Sequence, residues 1–117
     1  MLAMFQDLVR HKVHANAALV QAIGEHDAAA RDAELRTLLH HVILANRFWF
    51  SLMHGDPFDA EKESRVSDSL EGIAQLYRST HTEELAWIAA IHNEDLNAPP
   101  GSASWVARRR RWISSSG

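Results

Sequence analysis

The chain has 117 residues, 46% of them apolar, no cysteine and a formal net charge of −3. Without cysteine it has neither disulfides nor a thiolate nucleophile or ligand, which suits a cytoplasmic protein. The small net charge excludes a strong nucleic-acid field from the body of the chain. No apolar run approaches the roughly eighteen residues of a membrane span, and no signal-peptide pattern is present. The length suits one domain with a modest core. The alanine-rich vocabulary suits a soluble all-α fold.

The first predicted helix runs over about residues 2–23, with Gly24 as its C′ residue. Phe5, Val9, Leu19, Val20 and Ile23 share one face, with Asn16 in the middle of it. A buried asparagine must be hydrogen-bonded, so Asn16 either sets helix register or borders a polar cavity. His11 and His14 have a metal-compatible spacing but point to the polar face. The short polar segment 25–31 suits a turn between antiparallel neighbours, with Asp27 or Asp32 as the next cap.

The second helix, about residues 33–53, is the centre of the chain and is stopped by Gly55-Asp56-Pro57. Leu35, Leu38, Val42, Ala45, Trp49, Leu52 and Met53 fall on one broad arc of the helical wheel, which is expected to face the core. His41 lies on the flank of that arc beside Phe48 and Leu52, and His40 is expected on the opposite, solvent side. A single histidine beside an apolar face is more often a hydrogen-bonded boundary residue than a metal ligand.

Residues 54–67 read as a long charged connection. At about 3.3 Å per residue it can climb the full length of a helix, so the third helix can lie parallel or antiparallel to the second. That helix covers about residues 68–92 and opens on an Asp68/Glu71 capping box. Leu70, Ile73, Tyr77, Ile88 and Ile91 form its apolar stripe, interrupted by Thr80 and Glu84 and edged by His81. An unpaired buried carboxylate costs several kcal/mol. Glu84 is therefore exposed on a frayed turn, paired with a cation, or lining a bundle cavity. After Leu96 the helical period ends. Residues 99–117 form an Arg/Ser-rich tail in which Trp105 and Trp112 flank four arginines, Arg108 to Arg111.

The run His41-Val-Ile-Leu-Ala-Asn-Arg-Phe-Trp-Phe-Ser-Leu-Met-His-Gly55, with Ala15-Asn16 in the first helix, resembles the DinB-like family of metalloenzymes built as helical bundles. The resemblance covers about residues 5–98. It implies an up-down-down-up bundle and assigns His41 as the first of three metal ligands, for zinc or nickel. The other two ligands belong to a His-x-x-x-His fourth helix, which is missing here or replaced by the irregular tail. The tail is read as truncated or frameshifted, with a genuine basic tail as the alternative. In such a site an acidified water or low-molecular-weight thiol would attack an electrophilic substrate, as in thiol transferases and isomerases.

Two functions from different classes follow. One is a DinB-like metal-dependent enzyme, incomplete and weakly active in this chain. The other is a non-catalytic helical interaction or dimerisation module, in which Trp49, Phe50 and Trp87 pack against a second copy. Membrane partners are not expected, and nucleic-acid binding through the arginines ranks last.

Overall fold

A computed structural model describes residues 1–91, so the tail from 92 onward, with its arginines and the position of any fourth helix, lies outside the described residues. The described residues form five helices and no strand: α1 (Leu2–Gly24), α2 (Asp27–Ala30), α3 (Ala33–His54), α4 (Ala60–Glu63) and α5 (Leu70–Ala90). The all-helical expectation and its three long helices hold. None of these helices is long and apolar enough to cross a membrane.

The helix ends follow local chemistry. Asp32 caps α3 by accepting from the Leu35 N–H at 3.1 Å, and Asp59 caps α4 by accepting from Lys62. Gly55 ends α3 in the left-handed region at φ 70°, while the Asp56 N–H returns to the Ser51 carbonyl at 3.0 Å. Two expected ends are corrected. Gly24 is the last residue of α1, and Glu25 follows it in right-handed geometry rather than as a left-handed cap. The start of α5 uses Ser69, whose Oγ accepts from the Gly72 N–H at 3.1 Å. An Asp68/Glu71 box is thus shifted by one residue, and a Cβ at Gly72 would run into the Ser67 side chain.

Contacts along the long helices settle the direction of each. Phe5 meets Trp87, Lys12 meets Glu84 and Asn16 meets His81, so α1 runs antiparallel to α5. Leu39 meets Tyr77, Asn46 meets Glu84 and His54 meets Trp87, so α3 runs parallel to α5. The 55–69 connection therefore climbs the bundle, with α4 as one turn on the way. Helix α5 is the central element: it packs against both α1 and α3, whereas α1 and α3 are bridged by Lys12 and Asn46.

Two apolar clusters hold the bundle. One contains Val20, Leu39, Ile43, Ile73, Ala74 and Tyr77. The other gathers Leu2, Phe5, Val9, Phe50 and Met53 around Trp87, Ile88 and Ile91. On α5 the expected stripe is inward, with Ile73, Tyr77, Ile88 and Ile91 buried. On α1 it holds except at Leu19, which is 49% exposed.

On α3 most of the expected arc is turned the other way, while Leu35 and Met53 at its edge are half-buried. Leu38 is 63% exposed, Val42 50%, Trp49 59% and Leu52 42%, while Leu39, His40, Ile43 and His54 are buried. The reason is that α3 is apolar around most of its circumference, so its periodicity does not choose a side. Two polar side chains in its middle, Asn46 and Arg47, do choose, because their partners stand on α5, α1 and α4.

Candidate functional site

A polar seam crosses the bundle between the two apolar clusters. It is built from Lys12 and Asn16 on α1, one turn apart; Asn46 and Arg47 on α3; and Thr80, His81 and Glu84 on α5. The i, i+4 spacing within α1 and within Thr80/Glu84 aims these side chains at one level of the bundle.

Glu84 is the centre of the seam and is only 6% exposed. Its Oε2 accepts from Lys12 Nζ at 2.5 Å. Its Oε1 accepts from Asn46 Nδ2 at 2.6 Å and from His81 Nδ1 at 2.7 Å. Burial pushes the Glu84 carboxyl up, but the hydrogen bonds from His81, Lys12 and Asn46, with the Lys12 charge, outweigh it and hold it below the ordinary glutamate value. Of the three explanations for a glutamate on an apolar stripe, pairing with a cation is the one observed. Lys12 also donates to Asn46 Oδ1 at 2.6 Å, so the lysine, the amide and the carboxylate close a ring across three helices.

His81 is 5% exposed. With Nδ1–H donating to Glu84, its Nε2 is the acceptor for Asn16 Nδ2 at 3.1 Å. Asn16 thus has the interhelical, register-setting role. A second limb leaves α3 at Arg47, which donates to Thr80 Oγ1 at 3.0 Å and grips Glu63 with two bonds of 2.6 and 3.0 Å. The bond to Glu63 raises the Arg47 pKa, and the same bond lowers that of Glu63. His40 Nε2 donates to the Glu63 carbonyl at 2.7 Å, so two side chains of α3 pin the crossover.

The placement expected for the neighbouring histidines is reversed. His40 is 5% exposed, and His41 is on the open side of α3. The two lie about 100° apart on the wheel, so the rotation that hands Arg47 to Glu63 also brings His40 inward and His41 outward. No group of three or more His, Cys, Asp or Glu side chains able to hold a metal occurs among the described residues. His11 and His14 are exposed, as expected. Trp49 is on the surface and Phe50 half-buried, but Trp87 is enclosed by Phe5, Phe50 and His54 at 4% exposure. Trp87 therefore belongs to the core and not to a docking face.

Chemically, the seam is a hydrogen-bonded ion-pair network joining three helices. Glu84, Lys12, Asn46 and His81 satisfy one another, and such a network specifies which helix faces meet. A groove of about 700 Å³ also runs between α1 and α5, lined by Val13, Ala17, Val20, Ala74, Tyr77 and Leu85, with His81 in its wall. Both ring nitrogens of His81 are already engaged. Lys12, Asn46, Arg47 and Glu63 were not singled out by sequence reasoning. The available signal was Glu84 itself, since a carboxylate at the middle of an apolar stripe requires a cation at the same level.

Compared with family models, curated proteins and solved structures, the chain matches none of them.

Proposed function

We propose that this chain is a helical association module. The observation that carries the reading is the outer face of α3, where Leu38, Val42, Phe48, Trp49 and Leu52 are each at least 42% exposed. Scattered surface leucines need no explanation, but a contiguous apolar stripe along one helix is a binding surface or a liability. Arg47 is the one formally charged side chain between Thr37 and Met53, and it turns away to Glu63. A homodimer is the simplest occupant of such a face, and the cytoplasm is the compartment we assign to it. Sedimentation velocity between about 1 and 100 μM tests this. A concentration-dependent shift to a larger species, lost in Trp49→Glu, supports the module; a monomer throughout the range refutes it.

A second reading is the DinB-like metal-dependent enzyme. The parallel run of α3 and α5 favours it, because that is the order of an up-down-down-up bundle. In that reading His41 ligates zinc or nickel, and a small thiol attacks an electrophilic substrate. One imidazole holds a divalent ion weakly. Metal analysis after loading and dialysis separates the readings. Stoichiometric zinc or nickel lost in His41→Ala would favour the enzyme, and metal-free protein would favour the module.

A further inference from the structure

His81 stands where two features meet: the hydrogen-bonded seam and the groove between α1 and α5. Its Nδ1–H is held by the buried Glu84 carboxylate at 2.7 Å, which fixes the ring and leaves Nε2 as an acceptor. The bond on that acceptor is the loosest of the network. Asn16 Nδ2 lies 3.1 Å from Nε2, against 2.5–2.7 Å for the bonds among Lys12, Asn46, His81 and Glu84. Asn16 is half-buried and makes no other hydrogen bond among the described residues, so its amide can swing aside without breaking a second contact. Glu84 keeps Lys12, Asn46 and His81 as donors when it does. The histidine is thus an oriented acceptor with one exchangeable donor, and Ala17, the next residue after Asn16, lines the same groove.

The groove supplies the rest of a ligand site. Its volume of about 700 Å³ lies within the range of roughly 300–1,000 Å³ found for small-molecule pockets. Val13, Val20, Leu70, Ala74 and Leu85 make the lining mainly apolar. Its two formally charged side chains, Glu71 and Arg78, pair with each other at 2.9 Å, so the groove offers a charged ligand no uncompensated partner. An uncharged apolar body suits such walls, and a hydroxyl suits the acceptor. We infer that the α1/α5 groove binds a neutral, largely apolar small molecule carrying one hydroxyl, which donates to His81 Nε2 in place of Asn16. The site uses α1 and α5 alone, so it goes beyond the association reading and does not depend on it.

The probe is 2-naphthol, and its control is 2-methoxynaphthalene, which keeps the apolar body but cannot donate a hydrogen bond. With the full chain, 2-naphthol should bind with a Kd below about 1 mM, and the ether about tenfold more weakly. In ¹⁵N-labelled protein the His81 Nε2 resonance should move with 2-naphthol and stay in place with the ether. Asn16→Ala removes the competing donor, so it should tighten 2-naphthol several-fold and leave the ether unchanged. Ala17→Trp fills the groove from an exposed position and should abolish binding of both, with helicity unchanged by circular dichroism. Trp49→Glu, on the outer face of α3, should alter neither affinity. Absence of 2-naphthol binding overturns the site, as does binding that survives Ala17→Trp. Equal affinity for naphthol and ether, a stationary Nε2 resonance, or an Asn16→Ala variant with unchanged naphthol affinity overturns the exchange at His81.

Discussion

The two faces of α3 invert the common pattern of a surface helix. The side turned to α5 and the crossover presents His40, Asn46 and Arg47 together with Leu39 and Ile43, whereas the open side presents Leu38, Val42, Trp49 and Leu52. Both faces have apolar surface to bury, so the hydrophobic effect scarcely distinguishes them. The polar side chains do. Turning the helix over would leave Glu84 without Asn46 and Glu63 without Arg47, and unpaired buried charge costs more than an exposed valine. Polar demand thus sets the rotation of a helix whose apolar content would accept either side.

The largest effect should come from breaking the inner face at its centre. Glu84→Ala leaves Asn46, His81 and the half-buried Lys12 without their shared acceptor, and should cost about 3 kcal/mol in a urea melt. The pair of neighbours Ile43 and Val42 sharpens the contrast. Ile43 is 0% exposed, so Ile43→Ala should lose about 2–4 kcal/mol. Val42 is 50% exposed, so Val42→Ala should stay within about 0.5 kcal/mol while weakening self-association. Equal stability losses at the two positions would mean that the outer stripe is buried within the monomer.

Titration gives the next effects. The carboxyls of Glu84 and Glu63 are held below their ordinary value in the fold, so the unfolded chain binds more protons in acid. Their contribution is complete above the unfolded carboxylate range and is lost as pH falls through the lowered folded values. Stability should decline on acidification, and less steeply in Glu84→Gln. Tyr77 has the opposite sense. Burial pushes its hydroxyl up to about 12 from 10.0, so its contribution is full below about pH 10 and is lost as pH rises toward 12. Tyr77→Phe should remove that alkaline loss, at a cost of about 1 kcal/mol at neutral pH for the bond to the Leu39 carbonyl. An unchanged alkaline profile would place the titration elsewhere. Gly55→Ala should cost about 1 kcal/mol in the same melt, for a side chain at φ 70° with no other contact altered.

Local signals in the sequence determined the helical class, the three long helices, the stop at Gly55 and the inward stripe of α5. Each rests on interactions within a few residues: a 3.6-residue period, a cap, a left-handed glycine. Glu84 was legible as an anomaly, and Asn16 as a register residue, because burial of either demands a partner. Which partner it would be was not legible. Lys12 is 72 positions from Glu84, and Arg47 reaches Glu63 and Thr80 across two further elements. The tertiary structure decided these pairings and the parallel course of α3 and α5. Through the pairings it also decided which of two adjacent histidines is enclosed. A wheel records the angle between His40 and His41 but not the direction of the core, and on a helix apolar around most of its circumference that direction comes from the polar partners on the neighbouring helices.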